Sequence, residues 1–206
     1  MKLVAKSILF AAILGSTGVA SAQVTQFSGF TLGGDIAFRN NRADFDGYAN
    51  NRTASAHDTT AQLDFSYGMA LDEKVQMTFG VTYDLGKTNF GSQRYRAGSR
   101  NADASLKLSQ HLSIYAAPGV LVAPNWLLYG KLAYHRARGE YTDSVFGNGK
   151  TSHSGYGYGV GMSYAASEHV RLGVEVQQVK FSRESNGASS AKPSMTEIAL
   201  KFGYRF

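Results

Sequence analysis

At 206 residues with no cysteine, the chain is of single-domain length, and a disulfide scaffold, a thiolate metal site and a cysteine nucleophile are excluded. Its formal net charge of +6 is spread along the sequence rather than gathered into a basic stripe, so nucleic acid is not expected as a partner. Twelve tyrosines and twelve phenylalanines against three prolines point to strands.

The N-terminus reads as an export signal. Lys2 and Lys6 give a positive start, Ile8 to Leu14 a short apolar core, and Ala20-Ser21-Ala22 the small residues a signal peptidase needs. The apolar run is too short to span a bilayer, and no later stretch is long enough for a transmembrane helix. The expected division is therefore a signal peptide over residues 1–22, cleaved after Ala22, and one domain over 23–206.

Beyond it, apolar residues recur with a period of two. The segments, in order, carry Phe30 to Phe38, Leu63 to Met69, Val75 to Tyr83, Leu106 to Val122, Leu128 to Tyr134, Tyr156 to Tyr164, Val170 to Val176 and Ile198 to Phe206. The fourth reads as one uninterrupted phase, with Leu106, Leu108, Leu112 and Ile114 on one face and Lys107 and Ser113 on the other. In the seventh, Val179 and Phe181 take the opposite phase, which predicts either a bulge or the end of the membrane zone near Gln177.

Connections after the even segments are short: Leu71 to Lys74, Ala123 to Trp126, Ala165 to His169. Those after the odd segments are long, polar and rich in Asn, Ser, Gly and Arg. Strict short–long alternation is the pattern of bacterial transmembrane barrels, with turns in the periplasm and loops outside. An eight-stranded antiparallel up-and-down transmembrane β-barrel is expected, both termini periplasmic. A soluble barrel with its apolar face inward is the weaker reading, because Phe, Tyr and Leu exceed what an eight-strand lumen holds. Turned outward, they meet lipid, and Trp126 and Tyr164 join an aromatic girdle at one interface.

The alternating end Phe202-Gly203-Tyr204-Arg205-Phe206 resembles the assembly signature of outer-membrane barrel proteins. With Leu128-Tyr129-Gly130-Lys131-Leu132-Ala133-Tyr134, it makes the mature chain similar to the small OmpA/OmpX-type outer membrane protein beta-barrel domain family. The resemblance implies location in a Gram-negative outer membrane and insertion by the assembly machinery, with Phe202, Tyr204 and Phe206 as the signal that it reads. The chain stops at its last strand, so the peptidoglycan-binding domain of some relatives is not expected.

Three groups of residues are candidates for function. Asp35, Asp64, Lys131, Glu175 and Lys201 fall at one height on the inner face, with Arg171 and Arg205 lower, and opposite charges in a low-dielectric lumen must pair. Such a network is either a structural plug or a gate for a narrow ion path. Lys87, Arg94, Arg96 and Arg100 make the second long loop basic and able to meet lipopolysaccharide phosphates. Phe45 and Tyr48 in the first loop are candidates for contact with a host or surface ligand, or for packing on the rim.

An enzyme is not expected. Ser152-His153-Ser154 with Glu140 and Asp143 is the nearest approach to a catalytic set, and sequence neighbours in one loop rarely hold triad geometry. The five histidines lack zinc-ligand spacing, so neither metal nor cofactor is expected. The expected role is structural or interactive, through membrane integrity, adhesion or lipopolysaccharide contact; a narrow gated channel is the alternative.

Overall fold

The computed structural model of the chain describes residues 24–46, 52–97, 100–144, 147–186 and 189–206. The signal segment and its cleavage site, and Tyr48, lie outside them. A short 3-10 helix, Val24–Phe27, leads into β1 (Gly29–Asp46) through Gly29, whose φ of 97° favours a residue without a Cβ. β2 (Arg52–Ala70), β3 (Val75–Asp84), β4 (Thr88–Ala97) and β5 (Arg100–Ala123) follow. After them come β6 (Trp126–Asp143), β7 (Gly147–Ala165), β8 (Val170–Phe181), the short β9 (Glu184–Asn186) and β10 (Ser189–Arg205).

Pairing is antiparallel throughout. It runs β1-β2-β3-β5-β6-β7-β8-β10, and β10 then pairs with β1 from Thr31↔Arg205 to Asp46↔Ser190, so the sheet returns on itself. β4 continues along β5 beyond β3, and β9 lies against the start of β10. A closed sheet leaves no row of unpaired backbone groups, which is the condition for strands to stand in lipid.

The side-chain period decides the faces. On β1, Phe30, Leu32, Ile36 and Phe38 are exposed, while Thr31, Asp35 and Arg39 are buried. The same holds around the wall: Leu63, Phe65, Ile114, Leu132, Tyr158, Val174 and Leu200 all point out. The apolar face is thus the exterior one, a continuous belt far larger than a soluble monomer exposes. Along β1 it spans nine residues, Phe30 to Phe38, which matches what a tilted strand needs to cross the hydrocarbon layer.

Two readings of the sequence require correction. The long connections are not structureless loops. β1 and β2 remain paired up to Phe45↔Arg52, β6 and β7 up to Asp143↔Gly147, and β4 with β5 to Ala97↔Arg100. Above the apolar belt the outward face no longer meets lipid, so the alternation fades while the ladder continues. Nor does β5 keep one phase. Gln110, at φ 50°, forms a bulge where the register against β6 shifts between Ser109 and Leu112. Below it Leu112 and Ile114 point out; above it Leu106 and Leu108 are buried and Lys107 is exposed.

β8 behaves otherwise. Its pairing with β7 is unbroken from Ala165↔Arg171 to Gly155↔Phe181, and Glu175, Gln177, Val179 and Phe181 are all buried. The change near Gln177 is therefore the end of the apolar belt. Beyond it the interior turns apolar.

Candidate functional site

The lumen is filled at three levels. At the turn end, Phe27 is 1% exposed and packs with Leu127 and Ala165. Polar groups tie down its segment: Gln76 Nε2 donates to the Phe27 carbonyl at 2.7 Å, and Arg171 Nη2 donates to the Gln26 carbonyl at 3.1 Å. Arg205 Nη1 donates to the carbonyls of Thr25 and Ser28, each at 3.2 Å. Arg171 and Arg205 thus bind backbone carbonyls at the barrel's base and do not join the carboxylates above.

The second level is ionic. Lys201 Nζ lies 2.5 Å from Asp35 Oδ2 and 3.7 Å from Asp64 Oδ2. Lys131 Nζ donates to Glu175 Oε1 at 2.7 Å, and Tyr129 donates its hydroxyl hydrogen to Glu175 Oε2 at 2.9 Å. Tyr115 donates to Asp64 Oδ2 at 2.9 Å, and Lys131 stands 4.5 Å above the Tyr115 ring. Register explains the meetings, since β1 sets Asp35 opposite Lys201 and β2 sets Asp64 opposite Gly33. The two tyrosines fit because glycines face them: a Cβ on Gly80 would come within 2.5 Å of the Tyr115 ring, and one on Gly161 would collide with Tyr129.

Just above, a second ionic cluster centres on Arg39. Its Nε donates to Glu197 Oε2 at 2.6 Å, and Nη1 and Nη2 donate to the two oxygens of Asp84 at 2.5 and 2.9 Å. Gln62 Nε2 also donates to Asp84 at 2.8 Å. His111 Nδ1 lies 2.8 Å from Asp84, and its Nε2 lies 2.9 Å from His135 Nδ1. Sequence reading missed this cluster. The signal was present: Arg39 stands four residues beyond Asp35 on the same face, and Glu197 four residues before Lys201, so pairing Asp35 with Lys201 places Arg39 opposite Glu197.

At the third level the interior is apolar. Phe90, Leu106, Leu108, Val179, Phe181 and Met195 pack together with Ala43 and Ala137. The Phe90 and Phe181 rings meet edge to face at 6.5 Å. Between the base and the ionic layer remains a cavity of about 90 Å³, lined by Asp35, Asp64, Tyr115, Tyr129, Glu175 and Lys201 among others. It has room for a few water molecules.

The remaining candidates lie on the surface. Lys87 Nζ pairs with Glu140 at 2.8 Å, and Arg94 Nε with Asp103 at 3.0 Å, both pairs exposed. Glu140 lies beyond Tyr134, the last outward apolar residue of β6, and the bond from Lys87 holds its carboxyl below the usual glutamate value. Arg96 and Arg100 fall on β4 and β5 close to their turn; their side chains, like those of Phe45 and Asp143, lie outside the described residues. Ser152 is exposed whereas His153 is buried, with its Nε2 3.4 Å from the Tyr141 hydroxyl, so the two point to opposite faces of β7. At the base, Trp126 and Tyr164 lie ring to ring at 4.7 Å, and Phe202, Tyr204 and Phe206 project outward from the end of β10.

Comparison with known proteins agrees with this architecture. The model of the family described as outer membrane protein beta-barrel domain matches residues 8–206. No curated protein sequence matches the chain. Among solved structures, the outer membrane protease OmpT of Escherichia coli superposes with a TM-score of 0.50 at 9% identity, covering 86% of this chain and 96% of that one. OprG of Pseudomonas aeruginosa gives 0.49 at 15% identity, covering 87% and 96%. Ail, the attachment invasion locus protein of Yersinia pestis, gives 0.45 at 16%, covering 87% and 99%. At 9% identity the likeness to OmpT speaks to fold alone. With the family match spanning nearly the whole sequence and an apolar belt around a closed antiparallel sheet, the chain belongs to the outer membrane protein beta-barrel domain family and is a membrane-embedded barrel of the outer membrane.

Proposed function

We propose that this protein is an eight-stave outer-membrane barrel whose role is structural and interactive, neither enzymatic nor transporting. β3 with β4 counts as one stave and β8 with β9 as another, so both ends of the mature chain stand in the periplasm and four hairpins reach outside. The observation that carries the reading is the filling of the lumen. Phe27 closes the base, two ionic layers bridge the middle, and the cluster of Phe90 and Phe181 fills the top. An aqueous path would have to displace all of them, and an eight-stranded barrel is only wide enough for its own side chains.

Function then falls to the surface: outer-membrane lipids and lipopolysaccharide around the wall, surface or host ligands at the hairpins, and the assembly machinery at Phe202, Tyr204 and Phe206. The opposed directions of Ser152 and His153 support a non-enzymatic reading. The second reading, a narrow gated ion path, is favoured by the cavity and by Asp35 Oδ1, a buried oxygen beside it with no hydrogen-bond partner among the described residues. Single-channel recording on the refolded protein in a planar bilayer separates the two. A silent membrane, with folding verified by a heat-dependent gel shift, is expected. Discrete openings whose conductance changes in Lys201→Ala or Glu175→Ala would overturn the closed barrel.

A further inference from the structure

On the outward face of β6 to β8, the apolar belt ends in aromatics. Tyr134 and Tyr156 meet edge to face at 5.5 Å, and Tyr158 carries Lys180 Nζ 5.9 Å from its ring centre. Immediately above, the outward positions are cationic. Arg136 stands opposite Leu112 and Ser154, Arg138 opposite Ser109 and Ser152, and Lys180 opposite Tyr156. Lys107 joins them because the bulge at Gln110 turns it outward.

All four cations are exposed, and none has a carboxylate at salt-bridge distance among the described residues. Glu140, opposite Lys107 in the register, is already held by Lys87. Elsewhere at this height the wall is different. β1, β2 and β10 present Asn40, Thr59 and Thr196, and the cations just above them share one carboxylate: Arg42 is paired with Asp44 at 3.1 Å, and Lys192 stands opposite Asp44 in the register. Positive charge without a facing carboxylate is therefore gathered on one side among the described residues, and it sits where the belt meets the lipid headgroups.

We propose that the outer wall of β5 to β8 binds a phosphorylated lipid headgroup, specifically the lipid A phosphates of the surrounding leaflet. Arg136 and Arg138 fork the phosphate oxygens, which suits guanidinium geometry, while Lys107 and Lys180 flank it as point charges. The acyl chains lie below, along Leu112, Leu132 and the tyrosines. Four cations with no carboxylate at salt-bridge distance among the described residues, beside a low-dielectric layer, attract an anion more strongly than the same charges would in open water. The inference rests on the outer-membrane reading with hairpins outside, and moves the anion contact from the hairpin cations Lys87 and Arg94, both paired, to the wall.

The test uses the full barrel refolded in detergent and two probes, diphosphoryl lipid A and the same lipid stripped of its phosphates, with bound lipid read by native mass spectrometry. The natural protein should retain the phosphorylated form roughly tenfold better, the scale of one charge-assisted bond. Arg136→Gln with Arg138→Gln should abolish that preference, whereas Lys74→Gln, an exposed cation at the turn end, should keep it. Arg136→Lys with Arg138→Lys should retain part of it. Equal retention of the two lipids by the natural protein overturns the proposal even if the glutamine variant fails to fold. Undiminished preference in a folded glutamine variant, or retention of inorganic phosphate with no choice between the lipids, also overturns it. Cell fractionation tests the underlying reading separately: natural protein found outside the outer membrane would sink that reading whatever the lipids do.

Discussion

At the scale of single residues, the lumen is organised by shared cations. Lys201 serves both Asp35 and Asp64, and Arg39 serves both Asp84 and Glu197. Removing such a cation leaves two buried carboxylates facing each other without compensation. Lys201→Ala should therefore destabilise the barrel by about 3–5 kcal/mol, more than an ordinary buried truncation of that size. The midpoint of the heat-dependent gel shift measures it, and adding Asp35→Asn should recover part of the loss. An unchanged midpoint would mean that the Lys201 pairs contribute nothing net. Of the inner charges, Asp35, Asp64, Lys131, Glu175 and Lys201 were legible in the sequence, because period two and strand counting fix both face and height. Arg171 and Arg205 were legible in face only. Their partners are carbonyls of the N-terminal segment, and no side-chain periodicity encodes where that segment folds back.

At the scale of elements, β5 is the instructive case. A single extra residue at Gln110 reverses which side chains look inward, so Leu106 and Leu108 join the upper core and Lys107 turns out. Deleting Gln110 would remove the extra residue and leave a regular strand that still turns Leu106 and Leu108 inward and Lys107 outward. The expected outcome is a barrel that folds, with its β4–β5 hairpin as resistant to protease as in the natural protein. A much lower folding yield, or a hairpin readily cut while the lower wall stays intact, would show that the kink of the bulge itself is required. The bulge was not legible because the apolar residues on its two sides keep the same sequence parity. Spacing alone cannot reveal that one set meets lipid and the other the core. The tall hairpins were missed for a related reason. Strand signals in sequence come from one apolar face, and above the belt neither face has to be apolar.

At the scale of the whole molecule, the barrel is closed twice over, by the return of β10 to β1 and by a filled interior. The interior layers are independent of one another as barriers. Phe90→Ala with Phe181→Ala removes the largest side chains of the upper core and should cost several kcal/mol, on the order of 3–5 for each truncation. Conductance in a planar bilayer should nevertheless stay near zero, because the ionic layers and Phe27 still block the path. Openings in this double variant would show that the upper apolar core alone seals the barrel.

The sequence by itself determined the class of structure, the outward apolar belt, the short turns and the inner carboxylates with their lysines. These follow from local rules: a period of two, turn chemistry, and the need to pair charge away from water. Only the tertiary structure decided which side chains share an inner layer with Arg39, where β5 changes phase, and how the upper lumen is filled. Only it, too, gathered Lys107, Arg136, Arg138 and Lys180 onto one stretch of outer wall. The physical reason is register. The offset between neighbouring strands is set by closure of the whole ring and by local register shifts such as the bulge at Gln110, and it determines which distant residues stand at the same height.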